Sequence, residues 1–442
     1  MILVEGGYVV TQERVYREGA VAIEGERIVD VGDASDVKRR VGRGFEKIDA
    51  RGKLVIPGLV NAHTHIAMTL LRGYADDYPL QEWLERKIWP VEARMRPEDY
   101  ELGAMLGAVE SIRMGVTTVC SLYHYHPEHN EASGILKVGL RGVIGVAAFA
   151  WRPEESIRDI RDALERWHGR DGLIRIAVGP HAPYTVDPEL WRRLHDLRRW
   201  ADERYSGRGG RVIITTHVAE DPNEARITSE RFNVEIRGGM FEYLDGLGVL
   251  DECFLAAHAI HLTDGDIRVI RERGVKIAHC PVSNMKLGMG IARVRRLLDA
   301  GITVGLGTDG PASNNTLDLL ETAKVASLLQ KAITGDPTAI PAREAFRMAT
   351  IYGARVLLYD DLGDIRPGYL ADIVIIDLKR PHLTPIYDPL SHLIYSVRSL
   401  DVETVIIGGR VVYREGEFLT VDLDELYERV GRAVERLTAE AS

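Results

Sequence analysis

"KLVIPGLVNAHTH" occupies residues 53–65 and ends an apolar run in two histidines two positions apart. On a β-strand, residues i and i+2 share a face, so His63 and His65 can point at the same spot. Seven further strand-like runs follow: "VTTVCSLYHY" (116–125), "RGVIGVAAFAW" (141–151), "LIRIAVGPHAPY" (173–184), "RVIITTHVAE" (211–220), "CFLAAHAIH" (253–261), "VKIAHCPVSN" (275–284) and "ITVGLGTDG" (302–310). Helical periodicity alternates with them, as in "PEDYELGAMLGAVESIRMG" (97–115) and "DPELWRRLHDLRRWADER" (187–204). Eight such units over about 300 residues predict an α/β fold, a (β/α)8 TIM-like barrel over 56–361, rather than an open doubly wound sheet.

The two ends of the chain have a different texture. "ILVEGGYVV" (2–10), "GAVAIEGERIVDVG" (19–32) and "FEKIDARGK" (45–53) read as short strands punctuated by glycine turns. "GYLADIVIIDL" (368–378) and "VETVIIGGRVVYREGEF" (402–418) repeat that pattern. The expected organisation is therefore a small β-sandwich domain built from both chain ends. Residues 1–55 form its N-terminal part, and 362–442 its C-terminal part plus an amphipathic terminal helix over 423–441.

The composition is that of an ordinary globular chain: 442 residues, 45% hydrophobic, 28% charged, net charge −10. The acidic balance offers no electrostatic footprint for nucleic acid or an anionic membrane. No apolar run is long enough to predict a membrane span, and the N-terminus lacks the pattern of a secretory signal. Three widely spaced cysteines, Cys120, Cys253 and Cys280, fit a reducing cytoplasm and form no CxxC clamp. The expected partner is a small molecule, with neither nucleic acid nor membrane, and the chain is compatible with a homo-oligomer.

Barrel enzymes carry their chemistry at the C-terminal ends of the strands. Those ends hold His63, His65, His181, His217, His258, His261 and His279, half of the 14 histidines, together with Asp309 and, three residues after His217, Glu220. A single strand-end histidine is as well explained by a structural hydrogen bond. The pair His63/His65 invites a cation, and His217 with Asp309 completes three imidazoles and one carboxylate, a common set for a borderline metal. "GLGTDG" (305–310) also fits GxGxxG, but Pro311 and a polar run follow where a dinucleotide site needs a helix. The glycines are better read as relieving crowding at a strand end. No HExxH, GxSxG or Walker A motif occurs, and "HCPVSN" lacks the partner cysteine of the PCxxC deaminase clamp.

"PGLVNAHTH" (57–65), "TTHVAE" (215–220), "AAHAIH" (256–261), "HCPVSNMKLG" (279–288) and "GLGTDGPASNN" (305–315) closely resemble the mononuclear aminohydrolases of the amidohydrolase superfamily, over nearly the whole chain. The resemblance implies that His63, His65, His217 and Asp309 bind one Zn²⁺ per subunit, a set that also accepts Fe²⁺, Mn²⁺ or Ni²⁺. It implies that Glu220, His258 and Asp309 are catalytic. Physically, such a metal leaves a position for water and lowers its pKa. Asp309 can take a proton from that water, His258 can orient the hydroxide, and Glu220 can protonate a ring nitrogen of the substrate. Amide-hydrolysing relatives use a carboxylated lysine at the fourth strand; "IRIAVGPHAPY" has His181 and no lysine, which favours one metal and a heterocycle.

"HTHIAMTLLRGYADDYPLQEWLERKIWPVEARM" (63–95) resembles the S-adenosylhomocysteine and 5′-methylthioadenosine deaminases of this superfamily. The resemblance implies that Trp83, Glu92 and His181 contact the nucleoside, with Glu220 on the base. Trp83 can cover a planar base, and Glu92 can accept from two ribose hydroxyls. The spacing of Trp83 equally suits a helix-packing aromatic. Arginines used elsewhere in the group for an amino-acid tail find no aligned partner, since Arg152 and Arg158 match only with a shift of register. The expected reaction is hydrolytic deamination of the adenine ring of 5′-methylthioadenosine, S-adenosylhomocysteine or adenosine, with ammonia and the inosine product released. Two rivals are a guanine, pterin or triazine hydrolase on the same scaffold and a non-catalytic barrel. Non-catalytic barrels generally lose the ligands retained here.

Overall fold

The computed structural model of the chain describes residues 1–42 and 44–439. At its centre stand eight parallel strands: β1 (Leu59–Thr64), β2 (Val116–Tyr123), β3 (Arg141–Ala148), β4 (Ile174–Pro180), β5 (Ile214–Val218), β6 (Phe254–His258), β7 (Lys276–His279) and β8 (Val304–Leu306). They pair in chain order. Asn61 ties β1 to the end of β8: its Nδ2 donates to Thr308 Oγ1 at 2.7 Å and its Oδ1 accepts from the Thr308 N–H at 3.0 Å. The Asp309 N–H then bonds the His63 carbonyl at 3.0 Å. This seam carries two of the predicted metal ligands into register.

Small side chains fill the bore, among them Val60, Ala62, Cys120, Ala177 and Ala278, with Val356, Leu357 and Tyr359 packed against them. Gly307 is needed at the top of β8, because a Cβ there would lie 2.9 Å from both the Cβ and the carbonyl oxygen of His63. The GxGxxG letters thus serve close packing, and the next helix begins only at Leu319. Outside the strands, helices such as Pro97–Arg113 and Pro188–Gly209 bury their apolar stripes against the barrel. Asp187 caps the second of these, accepting from the Glu189 and Leu190 N–H groups. Fully buried Trp191 and Phe254 stack at 6.1 Å between helix and strand, each side chain stabilising by about 2–3 kcal/mol through burial.

The run 53–65 is not one strand. Lys53–Pro57 leaves the small domain's sheet, Gly58 turns the chain, and β1 begins at Leu59. A Cβ on Gly58 would sit 2.0 Å from Thr117 Oγ1, so the turn can approach β2 only as glycine. The strand therefore crosses residue 55, where composition alone suggested the domain changes. Both halves are uniformly buried, which is why periodicity could not separate them.

Lys53–Pro57 pairs antiparallel with Ile373–Asp377, joining the two ends of the chain in one nine-stranded mixed sheet. Val4, Val21, Ile28, Val55, Ile373 and Ile406 form its own apolar core. The sheet is fastened beneath the barrel by a buried pair: Arg141 Nε and Nη2 donate to Asp372 Oδ2 and Oδ1, both at 3.0 Å. The terminal helix runs Leu423–Ala439, and the remaining positions of its expected range lie outside the described residues. Among the described residues, no helix is long and apolar enough to cross a membrane.

Candidate metal centre and active site

At the top of the barrel the histidines expected from the strand ends separate into two groups. His63, His65 and His217 have ring nitrogens within 4.8 Å of one another, as do the ligand atoms of His63, His258 and Asp309. His63 Nε2 and His65 Nε2 lie 3.5 and 3.2 Å from Asp309 Oδ1. His261, by contrast, is exposed and bonds the Met289 carbonyl. His279 is buried outside both ligand groups, and burial, with His258 adding to it, pushes it down to about 3.

His65, His217 and Asp309 are held from behind. His65 Nδ1 donates to the Leu122 carbonyl at 2.5 Å and His217 Nδ1 to the His181 carbonyl at 2.6 Å. These bonds fix the tautomer and turn Nε2 inward, as in other ligating histidines. Ser283 and Ser313 donate to Asp309 Oδ2 at 2.5 and 2.8 Å, leaving Oδ1 for the centre. The Nε2 atoms of His65 and His217 then face each other at 3.2 Å. His63 Nε2 and Asp309 Oδ1 are buried without a hydrogen-bond partner among the described residues. Two ring nitrogens crowded together, an orphaned imidazole nitrogen and an orphaned carboxylate oxygen are costly together unless a cation sits among them. The donor set fits a divalent metal.

Electrostatics agree. Burial holds His63 down at about 4 and His217 well below the ordinary histidine range. Burial alone would lower His65 too, but the Asp309 carboxylate lifts it to about 9. Burial would raise Asp309; the close approach of the His63 and His65 imidazoles more than offsets that and keeps it well below the usual carboxylate range. The carboxylate thus demands positive charge at this spot.

Backbone strain gathers here as well. Asp309 (φ 63°), His258 (φ 73°), Ala259 (φ 47°) and Ala219 (φ 56°) all occupy the left-handed region without being glycine. Such residues persist only where surrounding structure holds them. Glu224 supplies part of that hold, its two oxygens accepting from the Ala219 and Glu220 N–H groups at 3.0 Å each. Glu220 Oε1 is 3.7 Å from His258 Nε2, and His258 Nδ1 bonds Asn284 Oδ1 at 2.8 Å. Burial raises the Glu220 carboxyl above its ordinary value.

Trp83, Glu92, His181, Glu220 and His258 line one pocket with His65, His217 and Asp309. Trp83 opens a π-helical turn (Trp83–Ile88), its Nε1 donating to the Ala75 carbonyl at 2.9 Å. It is both a packed core aromatic and a pocket wall. Glu92 is buried and accepts from the Tyr123 hydroxyl. His181 Nδ1 is 3.0 Å from Thr185 Oγ1. Sequence reasoning missed Asn284, Ser283, Ser313, Glu224 and Tyr123. The first three lie inside "HCPVSN" and "GPASNN", motifs noticed for their neighbours; nothing in the sequence pointed to Glu224 or Tyr123.

Residues 54–412 match the model of the amidohydrolase family. The chain belongs to that family. Residues 19–40 of this amidohydrolase also match a bacterial imidazolonepropionase-like composite domain. It is 44% identical to a 5-methylthioadenosine/S-adenosylhomocysteine deaminase of Pelotomaculum thermopropionicum, covering 99% of this chain and 98% of that one. It is likewise 44% identical to a 5′-deoxyadenosine deaminase of Methanothermobacter thermautotrophicus, covering 96% and 95%. Among solved structures, a zinc-bound adenosine deaminase from Xanthomonas campestris superposes on the amidohydrolase with a TM-score of 0.91 at 34% identity, covering 99% and 98%.

Proposed function

We propose that the protein hydrolytically deaminates the adenine ring of 5′-modified adenosines, with Zn²⁺ held by His63, His65, His217 and Asp309. One observation carries the reading. The Glu220 carboxyl and the His258 imidazole stand 3.7 Å apart beside the four-ligand cluster, in the pocket walled by Trp83, Glu92 and His181. The names of the two relatives and of the superposed structure support the same chemistry.

When bound, the ion supplies Lewis-acid activation of a water. The chain's residues do the rest. His258, its Nδ1 donating to Asn284, presents Nε2 as the acceptor that orients the attacking water. Asp309 Oδ1 takes the first proton, because Ser283 and Ser313 occupy only Oδ2. Glu220, kept protonated further towards neutrality by burial, gives its proton to the ring nitrogen as oxygen adds to the adjacent carbon. Protons then pass to the amino group, the C–N bond breaks and ammonia leaves.

Trp83 covers the base. Glu92, with one oxygen engaged by Tyr123, offers acceptors to the ribose hydroxyls, and His181 closes the wall between them.

The test is ammonia release by the Zn²⁺-loaded protein from adenosine, 5′-deoxyadenosine, 5′-methylthioadenosine, S-adenosylhomocysteine and guanine. Turnover of the adenosines with inosine products is expected. Guanine turnover without any adenosine turnover would overturn the substrate assignment.

A further inference from the structure

Between β1 and the helix Pro97–Arg113 the chain makes the excursion that carries Trp83 and Glu92 into the pocket wall. Its apolar residues gather in a small cluster of their own. Ala75, Leu80, Trp83 and Leu84 pack there with Leu287 and Ala312, from the loops that follow β7 and β8. Apolar contact of this kind is non-directional, so it does not by itself fix where the Trp83 ring stands.

Asp76, Lys286 and Asn315 supply a directional tie between the same three loops. Lys286 Nζ donates to Asp76 Oδ1 at 2.5 Å and also to Asn315 Oδ1. Asn315 Nδ2 donates to Asp76 Oδ2 at 3.3 Å, so each of the three side chains bonds the other two. The hydrogen bond from Lys286 holds the Asp76 carboxyl below its ordinary range. Arg72 adds a second tie, donating to the Asn315 carbonyl. Asp77 (φ 65°) and Asn315 (φ 72°) both lie in the left-handed region, a conformation that neighbours must hold in place.

On one side this triad meets the wall over the substrate. The Ala75 carbonyl, immediately before Asp76, accepts from Trp83 Nε1 at 2.9 Å. On the other side it meets the catalytic loops. Lys286 ends the short helix Pro281–Lys286, which also carries Ser283, bonded to Asp309 Oδ2, and Asn284, bonded to His258 Nδ1. Asn315 follows Ser313, the second donor to Asp309. The ion pair is partly open to solvent, with 25% of the Lys286 side chain and 35% of the Asp76 side chain exposed. Such a pair contributes little to global stability, so its effect is on local geometry.

We infer that Asp76, Lys286 and Asn315 are positioning residues that fix where the Trp83 ring stands over the base, relative to the loops holding Asp309 and His258. The inference rests on the deaminase reading above and extends it to three residues that do not line the pocket. They act through Trp83: the triad fixes the turn at Ala75, and the Ala75 carbonyl fixes the indole.

The experiment measures kcat and KM for 5′-deoxyadenosine, Zn²⁺ content and the denaturation midpoint. The chains compared are the wild type, Lys286→Met, Lys286→Arg, Asp76→Asn, Trp83→Ala and the double variant Lys286→Met with Trp83→Ala. Lys286→Met and Asp76→Asn should each raise KM about tenfold while kcat stays within about threefold, with Zn²⁺ retained. Lys286→Arg should recover most of that loss. In the Trp83→Ala background, Lys286→Met should change kcat/KM by less than about twofold, because the ring to be placed is gone. Asp76→Asn, equal in shape to the wild type, keeps the test decisive if Lys286→Met fails to fold. Equal losses with and without Trp83 would overturn the inference, as would a wild-type KM in both single variants. Loss of Zn²⁺ from the single variants would overturn it too, since their effect would then run through Asp309. All three results leave the deaminase reading standing, because wild-type turnover tests that separately; a wild type inactive on every adenosine would remove both.

Discussion

At the lower end of β3, Arg141 donates from Nε, Nη1 and Nη2 to Asp372 and to the Gly172 carbonyl, and Asp372 Oδ1 also accepts from the Gly408 N–H. At the upper end of the same barrel, His63 Nε2 and Asp309 Oδ1 are equally buried and have no hydrogen-bond partner among the described residues. Both ends place charge in the interior. The lower end satisfies it internally and ties the small sheet to the barrel. The upper end leaves it unsatisfied, on left-handed backbone, with serines, carbonyls and Glu224 holding the groups in place. Polar groups completed by their neighbours belong to stability; polar groups that converge on one point without completing one another belong to a ligand.

The sharpest way to break this contrast is at the upper end. His217→Ala should remove the metal and reduce turnover by about a thousandfold or more, read by metal analysis alongside ammonia release. Glu220→Gln should keep the metal and still lose roughly 10²–10⁴ in kcat, the range for a positioned proton donor. If the two variants lost metal equally, Glu220 would belong to the ligand set. At the lower end, Asp372→Ala should strand Arg141 and cost about 3–5 kcal/mol, measured as a lowered denaturation midpoint, while kcat of the folded fraction stays within twofold. The double change Arg141→Met with Asp372→Leu should cost less than Asp372→Ala alone, since no buried charge is left behind.

The smallest effect concerns Glu131, a buried carboxyl between the two ends in character. Its Oε1 accepts from the Ala67 N–H at 3.0 Å and from Ser121 Oγ at 2.9 Å, while Oε2 has no partner among the described residues. Burial raises it from 4.5 to about 7. Between those pH values the folded chain keeps a proton that the unfolded chain has released, so stability falls as pH rises through this window. Glu131→Gln retains the Oε1 acceptor and removes the titration. The variant should therefore gain on the wild type between pH 5 and 8, by about 5 °C in Tm. A difference independent of pH would refute the assignment.

Much of the site was legible because barrel strands end at the reacting centre. Reading the polar residues at those ends brought His63, His65, His217, Glu220, His258 and Asp309 onto one list; the structure places the last five on one pocket and His63 against them in the ligand cluster. The same rule also collected His261 and His279, which stand off the cluster, because strand ends have more than one face and the rule does not know which is turned inward. The division of 53–65 into two strands was hidden for a related reason: both halves are buried, so the pattern has no polar beat at the break.

What the sequence determined by itself is the kind of chemistry and its scaffold: eight alternating units that suit a barrel better than an open sheet, and imidazoles and a carboxylate at its rim. Hydrophobic period and residue type are local properties, and they survive without coordinates. The tertiary structure decided which Nε2 atoms face one another, which oxygen of Asp309 stays open, that Glu224 pins the Glu220 backbone, and that Phe149 and Trp151 meet Trp89 beside the pocket. Those facts join residues far apart in the chain through distances of a few ångströms. A hydrogen bond or a stacking contact is a property of the fold's geometry, and no periodicity in the chain records it.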